Sequence, residues 1–131
     1  MKEIKLKNLE EQEKYLYDKK GHPVNFKYPK GEQGKSGILK DRVVIFDRKD
    51  DNVTYWNLID LIEFKDEKEQ WLRITYYRYK KDGHWIFAGQ TSIADPLSKF
   101  VELFVKAIKE TLWARQLFKE IFTKCKCELK S

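Results

Sequence analysis

The chain has 131 residues, of which 41% are apolar, 37% charged and 15% aromatic, a balance that excludes a disordered segment and predicts one domain with a single core. Lysine and arginine number 27 against 21 aspartates and glutamates, a formal net charge of +6 at pH 7, so the expected partner is a polyanion, nucleic acid before an anionic membrane surface. No apolar run has the length of a signal-peptide core or a membrane span, which makes the cytoplasm the expected location and a membrane an unexpected partner.

Residues 1–37 read as an N-terminal arm and loop. Asn8 followed by Glu11 has the form of a capping box opening a short helix in "LEEQEKYLYDKK", with Leu9, Tyr15 and Leu16 as a thin apolar face. The segment "GHPVNFKYPKGEQGKSG" that follows is rich in glycine and proline and predicts a loop. Its Gly-Lys-Ser is not a phosphate-binding loop, because Pro29 occupies the position of the first required glycine and a strand pattern follows instead of a helix.

Residues 38–94 carry the pattern of an antiparallel sheet. "ILKDRVVIF" is β-branched and apolar, and "DRKDDN" supplies a turn. "VTYWNLIDLIEF" contains a helical stripe in Leu58, Leu61 and Ile62, but it also alternates, and the flanking turn signals favour a strand. After the charged connector "KDEKEQ", the runs "WLRITYYRY" and "HWIFAGQTSI" flank "KKDG", a strong hairpin signal. Asp95 then serves as an N-cap with Pro96 at the first helical position, opening a helix over 95–124 of roughly 43 Å. The expected architecture is α+β: a four-stranded antiparallel curved sheet followed by a long C-terminal helix, all in one domain over 1–131. Cys125 and Cys127, too far from His22 and His84 in sequence to suggest a zinc site, are expected to be free thiols. No metal or cofactor is called for.

Which hairpin side chains share a face decides the functional reading. A two-residue turn at Asp82-Gly83 puts Leu72, Ile74, Tyr76, Trp85, Phe87 and Ile93 on a core face. Trp71, Arg73, Thr75, Tyr77 and Tyr79 then share the other face with His84, Ile86, Ala88, Gln90 and Ser92. An odd-length loop with a bulge would exchange the second strand between faces. The second face offers rings and cations without a carboxylate, which suits single-stranded DNA or RNA: bases stack on aromatic side chains while arginine and lysine neutralise phosphates. Trp71, Tyr77 and Tyr79 are the expected stacking platforms, Arg73, Lys80 and Lys81 the phosphate contacts, and Gln90 a contact to base or sugar. The alternative for these rings is packing beneath the N-terminal segment. The long helix has apolar residues on more than one stripe, among them Leu97, Val101, Val105, Leu112 and Phe122, and a homodimer through this helix would cover the surplus.

The segments "RITYYRYKKDG", "GQTSIADP" and "KFVELFVKAI" resemble the Whirly-like or PUR-like family of single-stranded-DNA-binding transcriptional coactivators, built on a ββββα unit. The resemblance implies a helix-mediated dimer that cradles extended strands on curved sheets, with Arg73, Tyr77, Tyr79 and Lys81 where such contacts fall. The acidic "KDEKEQ" and the aromatic end of the helix depart from that pattern. Two other classes compete with non-enzymatic strand binding. One is a protein-interaction module with an aromatic groove. The other is a Mg²⁺-dependent nuclease using Asp50 (with Asp47 or Asp51 as substitutes), Glu63 and Lys65.

Overall fold

The computed structural model describes residue 6 and residues 8–26, 35–87 and 95–129. They form an α+β protein whose contacts divide into two compact units, 1–94 and 95–131. The first contains helix α1 (Leu9–Tyr17) and strands β1 (Pro23–Phe26), β2 (Lys35–Asp50), β3 (Val53–Phe64), β4 (Trp71–Lys80) and β5 (Trp85–Phe87). The second contains α2 (Leu97–Glu110) and α3 (Leu112–Leu129). Among the described residues no helix is long and apolar enough to cross a membrane.

The five strands form one antiparallel meander in chain order, one strand more than the four expected. The extra strand is β1, which pairs Pro23 with Ile38 and Val24 with Gly37. It hid in a proline- and glycine-rich stretch because proline is tolerated at the first residue of an edge strand. The alternating segment 53–64 is β3 throughout. β2 runs for 16 residues and departs from regular pairing at two places, between Leu39 and Asp41 and between Phe46 and Arg48. Each extra residue bends the strand and increases its twist, so the sheet curls.

Residues opposite one another in an antiparallel pair share a face. One face therefore reads as cross-strand rows: Lys49–Thr54–Tyr79, Phe46–Trp56–Tyr77, Val44–Leu58–Thr75, Arg42–Asp60–Arg73 and Leu39–Ile62–Trp71. α1 lies over this face. Asn8 accepts a hydrogen bond from the Glu11 N–H at 2.9 Å, as the capping pattern predicts. The helix is pinned by Trp56 Nε1 donating to Gln12 Oε1 at 2.9 Å, by Val44 N–H donating to the Tyr17 hydroxyl at 3.1 Å, and by packing of Leu16 against Val44, Trp56 and Leu58. Gly37 belongs to the same face because a Cβ there would meet the Phe64 ring at 2.8 Å.

The β4–β5 hairpin corrects the expected register. Tyr79 pairs with Trp85 and Tyr77 with Phe87, and the Lys80 N–H donates to the His84 carbonyl at 2.8 Å. The loop is Lys81-Asp82-Gly83, an odd length, with Gly83 at φ 98°. A three-residue hairpin of this kind needs a left-handed residue at its third position, and glycine adopts it without a Cβ clash. Trp85 and Phe87 are consequently on the face of Tyr77 and Tyr79, and Ile86 is on the reverse face opposite Arg78. The reverse face is apolar as well, with Val43, Ile45 and Ile59 buried on it.

The expected single helix is two. Thr111 has extended backbone angles (φ −129°, ψ 140°) and closes α2, its hydroxyl donating to the Ala107 carbonyl at 2.8 Å while accepting from the Ala114 N–H at 3.2 Å. One side chain thus caps the end of one helix and the start of the next. α2 begins one residue later than expected, with Pro96 rather than Asp95 at the N-cap position. Phe104 and Phe118 meet edge to face at 5.3 Å between the two helices, and Leu103, Ala107 and Ala114 are buried.

Candidate functional site

A charge inside an apolar strand must be paired or it costs several kcal/mol. "DRVVIF" and "LIDLIE" each bury one, Arg42 and Asp60, and the sheet register puts the two directly opposite each other, with Arg73 on the far side of Asp60. Asp60 is fully buried, and Arg42 is 2% exposed. Arg42 donates from Nε to Asp60 Oδ1 at 2.7 Å and from Nη2 to Oδ2 at 3.2 Å, a two-pronged pairing. Arg73 donates to Oδ2 from Nε at 3.1 Å and from Nη2 at 2.7 Å. Two guanidiniums thus share one carboxylate, and the row carries a net positive charge. Arg42 also donates from Nη1 to the Leu16 carbonyl at 3.0 Å, at the C-terminal end of α1, where a cation is favoured. Burial works against the Arg42 charge, but the hydrogen bonds and negative charge of Asp60, with Tyr77 beside them, outweigh it and hold the guanidinium above its ordinary pKa.

Rings surround this row. The Arg42 guanidinium is 5.3 Å from the centre of the Tyr77 ring, and that of Arg73 is 4.7 Å from Phe87. Tyr77 and Phe87 stack at 4.9 Å, Tyr77 and Trp85 meet edge to face at 6.1 Å, and Tyr15 of α1 stacks on Trp85 at 5.1 Å. Beside α1, Arg42 and several of these rings border a cavity of about 220 Å³ whose walls include Tyr15, Lys19, His22, Tyr77 and Trp85. The cavity therefore combines flat π surfaces with three side chains that are cationic or can become so, and among the described residues no carboxylate lines it.

The residues singled out from the sequence are distributed as follows. Tyr79 is 5% exposed; its hydroxyl accepts from the Leu6 N–H at 2.7 Å and its ring tilts against Trp85 at 4.7 Å, so it is a packing residue of the covered face. Tyr77 is half-buried under α1, and Arg73 is committed to Asp60. Trp71 stays 39% exposed with its ring edge to face with Phe64 at 4.8 Å, and Phe87 is 43% exposed. Lys80, at the end of β4, and Lys81, the first loop residue, are exposed. Gln90 lies outside the described residues. Of the nuclease set, Asp50 pairs with Val53 at one end of β3 while Glu63 is near the other. That separation is ten strand positions, on the order of 33 Å, so the two carboxylates do not converge. Among the described residues no group of three or more histidine, cysteine or acidic side chains is arranged to hold a metal. Cys125 and Cys127 are free and exposed on α3.

Sequence reasoning missed Arg42, Asp60, Tyr15, Lys19, Trp85 and Phe87. The first two are charges set in apolar runs, but it is the strand pairing that shows they face each other. The aromatic pair was assigned to the wrong face by one residue of loop length. No family model, curated protein or solved structure matches the chain.

Proposed function

We propose that the protein is a non-enzymatic binder of single-stranded DNA or RNA, and that the strand follows the row of rings and guanidiniums along β4 and β5. The observation carrying this reading is the Arg42–Asp60–Arg73 row: an excess positive charge fixed next to open ring surfaces. Relative to the sequence expectation the roles move. Phe87 and Trp71, more exposed than Tyr77 and Tyr79, are the stacking faces, while Tyr77 backs Phe87 and Tyr79 ties down Leu6 ahead of α1. Lys19 meets phosphate, and Arg42 and Arg73 supply field from below. The proposed relationship to the Whirly-like and PUR-like coactivators rests on the sequence resemblance alone, and it would make α1 an added cover on the sheet. The proposed partner of α2 is a second copy of the chain, because Leu97, Val101 and Val105 form an exposed apolar stripe at four-residue spacing. Val101→Lys is expected to turn a dimer in light scattering into a monomer, and an unchanged mass would remove the helix from the interface.

The test is fluorescence anisotropy with labelled oligo-dT, oligo-U and duplex at two salt concentrations, with and without Mg²⁺. Single strands should bind better than duplex, with log affinity falling by about 0.7 per neutralised phosphate for each unit of log salt. Phe87→Ala should weaken binding by about 1–3 kcal/mol. A salt-insensitive protein that captures peptides instead would favour the aromatic-groove reading, and strand cleavage dependent on Mg²⁺ would overturn the non-enzymatic one.

A further inference from the structure

A second cavity, of about 240 Å³, lies on the same face at the β2–β3 turn, lined by Leu6, Gln12, Lys49, Asn52, Thr54, Tyr79 and Lys81. Its volume is far above the roughly 10–15 Å³ that admits one water. The walls are fixed by backbone pairing. Lys49, Thr54 and Tyr79 form one cross-strand row, and the Lys81 N–H donates to the Asn52 carbonyl at 2.9 Å, tying the turn to the end of β4. Among the described residues no carboxylate lines it and none pairs with Lys49 or Lys81; Asp50 and Asp51 of the adjacent turn are exposed and outside the lining. The neutral groups add donors. Gln12 spends its side-chain oxygen on Trp56, which leaves its NH₂ to donate, and it sits in the first turn of α1, where the helix dipole favours an anion.

Two ammonium groups and several neutral donors match a group of charge near −2. A phosphodiester inside a strand carries one negative charge and continues on both sides, so it is best met by an open groove. A phosphomonoester carries about −1.5 to −2 near pH 7, offers three acceptor oxygens and ends the chain. From this we infer that the Lys49–Lys81 cavity receives a phosphomonoester, specifically the terminal phosphate of the bound strand. The inference rests on the strand-binding reading for the source of the phosphate, but not for the chemistry of the cavity.

Two measurements separate these layers. In the first, inorganic phosphate is titrated into the full chain and followed through backbone amide shifts; the Lys49, Asn52 and Lys81 amides are expected to move, and shifts absent from them would overturn the site. In the second, one oligonucleotide is compared with a 5′-phosphate, with a 3′-phosphate and with neither. One phosphorylated form is expected to bind about tenfold tighter or more, the scale of a charge-assisted contact. Lys49→Ala and Lys81→Ala should each erase that ratio while the melting temperature stays in place. Equal affinity for all three oligonucleotides overturns the strand-end assignment. Phosphate-induced shifts without binding of any oligonucleotide support the cavity's chemistry and overturn the strand-binding reading instead.

Discussion

Towards one end of the face beneath α1, Arg42 and Arg73 close on Asp60 with the carboxylate fully out of water; at the other, Lys49 and Lys81 border a cavity with no acidic group among the described residues of its lining. The first arrangement is demanded by burial. Charges taken from solvent need partners whose geometry satisfies every lone pair, and removing one partner leaves the others stranded. The second makes no such demand, since exposed ammonium groups keep their hydration and contribute little to folding. The comparison separates cations that the fold requires from cations that it merely tolerates, and the tolerated ones are the cleaner functional probes.

Breaking the buried row gives the largest expected effect. Asp60→Asn should lower the unfolding free energy by about 3–5 kcal/mol, measured by urea denaturation, because two guanidiniums lose their only carboxylate in the row. The triple replacement Arg42→Met, Asp60→Leu and Arg73→Met sharpens the contrast. It should cost less stability than the single change, since apolar groups of similar volume often substitute well for a buried ion pair, and it should abolish oligonucleotide binding. Recovery of binding together with stability would strip the row of its proposed role. Lys49→Ala and Lys81→Ala, at the opposite end, should each fall within about 0.5 kcal/mol of the parent in the same denaturation experiment. A larger loss would mean that these lysines belong to the fold after all.

The smallest effect concerns Asp82 in the hairpin loop. The backbone N–H of His84, and then its side chain, hold this carboxyl below its ordinary value of 3.8. Its contribution to stability is therefore fully present above the ordinary carboxylate value and is lost as pH falls through the lower, folded-state value. A carbon-detected titration should give a midpoint below 3.8, and His84→Ala should return it only part of the way, because the backbone donor remains.

Much of the sheet was legible because alternation is a local property. β3 and β4 appear where the period-two pattern put them, and the α1 cap is where Asn8 and Glu11 predict it. What failed was relational. The Asp-Gly signal located the hairpin but not whether two or three residues close it, and that one residue decides the face of Trp85 and Phe87. Tyr79 takes the alternative the sequence left open, packing beneath the N-terminal segment: α1, with a thin apolar face, holds itself across the aromatic rows through Leu16 and through Gln12, Tyr15 and Tyr17, polar-tipped side chains whose hydrogen bonds and stacking add to its aliphatic burial. Arg42 and Asp60 were hidden for a related reason. They are 18 residues apart, and only strand pairing brings them together.

The shared cap at Thr111 has a consequence for how the C-terminal segment comes apart. Because a single hydroxyl ends α2 and begins α3, neither helix frays at the junction without exposing a terminus of the other. The two should therefore melt in concert, and Thr111→Val, which preserves shape and discards the hydroxyl, should loosen amide exchange protection on both sides of the joint at once.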